Sequence, residues 1–162
     1  MNSYKDLTIF FNTDLLDFEF QSFLKELFDD LSDYNILESD YITSKKNGIE
    51  LGFKNDRAVY DEDDGVLFEK GQPVFSHFNL FPNSARLIDR LPFDINFNDN
   101  RTKVISKAGQ PNQTNQGEIV ILNKKYLVDN YFAGDLIITF DYEPANETIN
   151  FIQIKSNKKA ST

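Results

Sequence analysis

Four consecutive carboxylates, Asp61-Glu62-Asp63-Asp64, stand before Gly65 and form the densest cluster in the chain that could hold a cation or meet a basic partner. A calcium loop of the EF-hand kind needs oxygen ligands at its first, third and fifth positions, glycine at the sixth and glutamate at the twelfth. With Gly65 as the sixth position, Tyr60 is the first and Gly71 the twelfth, so that pattern fails. A turn between strands accounts for these residues, and a negatively charged docking loop is their functional reading.

His77 is the single histidine and follows Ser76 in Val74-Phe75-Ser76-His77-Phe78. Neighbouring side chains of a regular strand point to opposite faces. The pair is therefore not expected to converge as a Ser–His–acid triad requires. The seven glycines are spread singly among turns, so no glycine-rich phosphate loop exists. The absence of Cys excludes disulfides, thiolate metal sites and a Cys nucleophile. A single His excludes poly-His metal sites. Carboxylate pairs suited to glycoside hydrolysis stay open, because any acidic protein offers many. The expectation is a chain with no catalytic residue, no metal and no cofactor.

The elements that must position these residues follow from apolar spacing. Asn12-Thr13-Asp14 offers three N-caps. After it Leu16, Phe20, Phe23, Leu24, Leu27, Phe28 and Leu31 recur at three- and four-residue spacing, which predicts a helix over 13–33 with its stripe on a sheet. From Ser39 to Phe81 the period changes to that of an antiparallel meander. Ile49, Leu51 and Phe53 alternate after an Asn47-Gly48 hairpin signal, and short strands are expected at Arg57–Asp61, Gly65–Glu69 and Pro73–Leu80. Leu91 to Phe97 reads as extended. Asn98-Asp99-Asn100 caps a short helix, Arg101 to Ala108, which Gly109 and Pro111 end. Gln110 to Gly117 reads as a polar loop, followed by strands Glu118–Leu122, Tyr126–Phe132, Asp135–Tyr142 and Asn146–Ile154. Asp141 to Glu147 reads as a solvated hairpin loop.

The sequence has 162 residues and a net charge of −9, with sixteen Phe and seven Tyr, enough to build a core. Residues 1–100 hold 20 acidic and 9 basic side chains, and residues 101–162 hold 6 and 8. An acidic first half can steer a basic partner. It disfavours nucleic acid and anionic membrane surfaces. The polar N-terminus carries no targeting signal, and no apolar run approaches the ~20 residues of a membrane span. A cytoplasmic protein is expected.

The segment Leu91-Pro92-Phe93-Asp94-Ile95-Asn96-Phe97, continuing through Arg101, Val104, Gly109 and Pro111, resembles the L-P-F-G-L-S-F-x-x-S-R-x-x-V-x-x-x-L-G-x-P segment of small bacterial proteins. Tyr126–Tyr142 and Ile149–Ile154 are similar to that family's closing strands. Ala108 departs from its usual Leu. The helix-plus-hairpins unit also resembles that of β-lactamase inhibitor protein and of outer-membrane assembly lipoproteins with a V-x-x-x-L-G-x-P signature. The resemblance implies a non-catalytic binding sheet of the kind used by immunity proteins of polymorphic toxin and contact-dependent inhibition systems.

The expected fold is α+β: an antiparallel sheet with one long N-terminal helix and one short central helix packed on it. It forms a single domain over 1–155, with a flexible basic tail at 156–162. The expected function is that of an intracellular immunity protein that neutralises a basic toxin domain, as a monomer or weak dimer. The expected contact residues are Asp61, Glu62, Asp63 and Asp64, then Asp29, Asp30 and Asp33 of the long helix. The competing readings are a non-catalytic scaffold or assembly module, and a carboxylate hydrolase.

Overall fold

The computed structural model describes residues 2–28, 41–55 and 73–158. Seven strands form one antiparallel sheet: β2 (Tyr41–Ser44), β3 (Ile49–Asn55), β4 (Pro73–Leu80), β6 (Gln113–Ile119), β7 (Lys124–Ala133), β8 (Leu136–Tyr142) and β9 (Ile149–Ser156), in the order β2-β3-β4-β9-β8-β7-β6. Two meanders thus lie side by side and join where β4 pairs with β9. A separate parallel pair links β1 (Asn2–Ser3) to β5 (Ile88–Arg90).

Period-2 alternation separates the two faces of the sheet. On the inner face Ile42, Leu51, Phe78, Ile154, Ile138 and Tyr131 stand in register across six strands, and all are buried. On the outer face the next register row reads Thr43, Glu50, Asn79, Gln153, Thr139, Asn130 and Gln113 across all seven. Its members bond sideways: Asn79 to Glu50 at 3.0 Å, Gln153 to Asn79 at 3.1 Å, and Thr139 to Asn130 at 2.6 Å.

Three α-helices carry the described helical chain: α1 (Tyr4–Thr8), α2 (Phe18–Leu27) and α3 (Arg101–Ala108). The Ser3 hydroxyl caps α1 in a capping box with Asp6; the polar N-terminal residues gave no expectation of a helix there. The expected helix over 13–33 is ten residues long instead. Its cap is Asp17, whose carboxylate accepts the Phe20 N–H at 2.9 Å, and Phe28 is already extended. Asn12 sits at φ +65, and Asp14 bridges to Val74, so both belong to the approach loop. Phe20, Leu24 and Leu27 face the core as their spacing requires, whereas Leu16 lies outside the helix and is exposed.

The short helix α3 stands where expected. The Asn100 side chain accepts the Lys103 N–H at 3.0 Å, and Gly109 ends the helix at φ +85. Before it, Pro92–Asp94 is a 3-10 turn with Phe93 and Asp94 at positive φ, not an extended piece. Four residues, Lys45 to Gly48, connect β2 to β3 in place of a two-residue turn. β9 extends to Ser156, and the Asn157 N–H bonds the Asp135 carbonyl, so ordered chain runs past the expected start of the tail. The strands expected at Arg57–Asp61 and Gly65–Glu69 lie outside the described residues, as do residues 159–162.

Candidate functional site

Sequence reasoning set Ser76 and His77 on opposite faces of β4, and the structure corrects this. Gly52 pairs with His77 and Phe53 with Phe75, so Ser76 is an extra residue, a β-bulge. A bulge re-aims the side chains around it. Ser76 Oγ lies 2.8 Å from His77 Nδ1, and His77 Nε2 lies 2.9 Å from the Tyr41 hydroxyl. Ser76 Oγ also donates to the Gly52 carbonyl at 3.3 Å. The distances fit an arrangement in which Tyr41 donates to Nε2, Nδ1–H donates to Ser76, and Ser76 donates to the Gly52 carbonyl. That polarity is the reverse of nucleophile activation, in which the histidine takes the serine proton. Ser76 is also only 4% exposed, which leaves no approach for a substrate carbonyl. The trio braces the bulge.

A second polar cluster lies on the inner face. Arg101, at the start of α3, reaches Asp129 on β7 through two bonds, Nε to Oδ2 at 2.8 Å and an η-nitrogen to Oδ1 at 3.1 Å. Thr114 on β6 donates to the same carboxylate at 2.7 Å. Asp129 is fully buried, so both oxygens need these partners. The hydrogen bond to Asp129 raises the Arg101 guanidinium further, against the effect of burial. Burial and the Asp129 charge push the Tyr131 phenol up to about 12, and they also push Tyr142 up. Tyr131 donates to the Gly109 carbonyl at 2.9 Å, so the same cluster holds the end of α3. Nearby, burial alone would raise the Asp99 carboxyl, but its 2.7 Å bond to Lys107 and the Asn96 N–H hold it below the usual range. These contacts fasten α3 to the sheet.

Exposed apolar side chains gather at Ile9, Leu16 and Phe18 and, consecutively, at the tip of the β6–β7 hairpin. Its tip is a 3-10 turn, Val120–Leu122, closed by Asn123 in the left-handed conformation. Val120, Ile121 and Leu122 are 81%, 96% and 66% exposed, and Ile119 beside them is exposed too. All seven residues of β6 are exposed. The expected polar loop Gln110 to Gly117 and strand Glu118–Leu122 are instead the strand Gln113–Ile119 followed by the turn Val120–Leu122. The signal that could have separated them was the preceding run of polar residues, which leaves the strand no apolar face.

The expected contact residues Asp61, Glu62, Asp63 and Asp64, and Asp29, Asp30 and Asp33, lie outside the described residues. Among the described residues no group of three or more His, Cys, Asp or Glu side chains could hold a metal ion, and no helix is long and apolar enough to cross a membrane.

No protein-family model matches the chain, and no curated protein sequence does. One similar solved structure is the crystal structure of a DUF4309 family protein (YjgB) from Bacillus subtilis subsp. subtilis str. 168, at 11% identity and a TM-score of 0.44. The similarity covers 74% of this chain and 66% of that one, so the chain spans just under two thirds of that protein.

Proposed function

We propose that this chain is an immunity protein: a non-catalytic antitoxin that binds a bacterial toxin domain and blocks it in the cytoplasm. The toxin is a nuclease of a contact-dependent growth inhibition or polymorphic toxin system. The observation that carries the reading is the hairpin tip. A chain with a net charge of −9 holds three consecutive branched aliphatic side chains mostly in water. Contiguous exposed apolar surface rimmed by polar residues is what protein-binding sites present. Nothing in the tip can perform catalysis, so its use is contact.

Charge supports the choice of partner. A nuclease binds a polyanion, so its cleft is basic, and an acidic inhibitor associates with it under electrostatic steering. On this reading Asp61, Glu62, Asp63 and Asp64, with Asp29, Asp30 and Asp33, form the steering surface, and the tip supplies the buried anchor. The test is co-expression of the chain with the product of the reading frame beside its own. The expected result is a stable complex with a cationic toxin domain and survival of cells that otherwise die. Cells that die equally with and without the chain would refute the reading.

A further inference from the structure

The free edge of β6 points to a second copy of this chain. Exposed edge strands invite pairing, and natural sheets blunt them by shortness, by Lys or Pro on the edge, or by bulges. The opposite edge, β2, shows two of these devices: it has four residues and runs into Lys45-Lys46. β6 shows none. It is seven residues long, pairs with β7 in unbroken register from Gln113↔Asn130 to Ile119↔Lys124, and contains no Lys, Arg or Pro. In an antiparallel ladder alternate residues turn their N–H and C=O groups away from the partner strand. Among the described residues no strand pairs with the outer side of β6, so those groups face outward along it.

We propose that two copies join β6 to β6 in antiparallel fashion, making one continuous sheet. Chemistry selects a second copy as the occupant. The chain is strongly acidic, yet the only charge on β6 is Glu118, and it stands opposite Lys125 on β7. Full overlap of residues 113–119 sets Gln116 against Gln116 on the two-fold axis, Asn115 against Gly117, and Glu118 against Thr114. No carboxylate meets a carboxylate, and like amides meet at the centre, as in amide ladders between identical strands. The overlap leaves a place for an aromatic cover. A side-chain carbon on Gly117 would lie 2.7 Å from the Tyr126 hydroxyl, so the Tyr126 phenol lies over β6 at Gly117. The dimer itself does not rest on the toxin-binding reading, because it is measured on the chain alone.

The test uses the full chain with no partner present. Sedimentation equilibrium of the parent protein is expected to show a reversible monomer–dimer equilibrium. Gln116→Lys places two ammonium groups face to face and should weaken it by about fivefold or more, with circular dichroism and melting unchanged. The chain has no cysteine, so Gln116→Cys introduces a single thiol. Directly opposed residues lie ~5.5 Å apart, within disulfide range, and mild oxidation should yield a covalent dimer. Thr43→Cys, on the blunted edge, should not cross-link. A parent that stays monomeric at its highest soluble concentration would overturn the proposal, as would Gln116→Cys linking no faster than Thr43→Cys.

Discussion

Tyr41 and His77 touch across an intervening strand. Both pair with Gly52 of β3, one from each side, and their side chains meet at 2.9 Å over it. Adjacent strands lie ~4.8 Å apart, so the two backbones are separated by roughly twice that. The contact forms because Gly52 has no side chain, and a carbon there would overlap the His77 ring. Gly52→Ala should therefore destabilise the fold by about 1–3 kcal/mol, as overpacking does. In chemical denaturation the double variant Gly52→Ala/His77→Ala should recover part of that loss. A cost for Gly52→Ala that persists unchanged beside His77→Ala would show that the ring is not what excludes the methyl group.

The Arg101–Asp129 pair should behave as a buried ion pair. Removing one partner leaves an uncompensated charge, which costs about 3–5 kcal/mol. Arg101→Met and Asp129→Leu should each fall near that range, and the double variant should be more stable than the Asp129-retaining single variant. Additive losses in a double-mutant cycle would contradict the assignment.

Gly109 has open space around it but adopts φ +85 and ψ −174. That region is essentially confined to glycine, and occupying it costs other residues about 1–3 kcal/mol. Gly109→Ala should lose that much in a denaturant melt, and its cost should not be relieved by any change in neighbouring side chains. Unchanged stability would place the end of α3 elsewhere.

Alkaline pH tests the buried phenols. Tyr131 is pushed up to about 12, so the folded state keeps its proton after the unfolded chain has lost it. The unfolded state then binds fewer protons, and stability falls as pH rises from about 10 towards 12. Tyr131→Phe should flatten that fall in melts recorded across the window. The same substitution removes the bond to the Gly109 carbonyl, worth about 1 kcal/mol at neutral pH. An equally steep alkaline limb in the Phe variant would contradict the assignment.

The sequence was readable where one face of an element is apolar and the other is not. Pro73–Leu80 and Arg101–Ala108 stand with the limits their patterns imply, because burial and capping chemistry coincide there. β6 was hidden for the same reason. Gln113 to Glu118 is polar throughout, and an edge strand exposed on both faces leaves no alternation to read. The Ser76–His77 contact was illegible because it depends on a bulge, which is fixed by how β3 and β4 register and not by spacing within β4. The helix over 13–33 was overextended because Leu16 and Phe28 continue the apolar count outside the capped turn structure.

On the proposed function, the tip Val120–Leu122 anchors a toxin domain while acidic side chains steer it. The measurement is binding kinetics of the full chain with the toxin domain encoded beside it, at low and high salt, for the parent, Ile121→Asp, and a variant with Asp61, Glu62, Asp63 and Asp64 changed to Asn or Gln. Buried anchors act on dissociation, whereas rim charges act on association and its salt dependence. Ile121→Asp should speed dissociation by at least about tenfold, equivalent to 1.4 kcal/mol, with the fold intact. The acidic variant should associate more slowly and with a flatter salt dependence. Parent-like dissociation of a folded Ile121→Asp protein would contradict the claim.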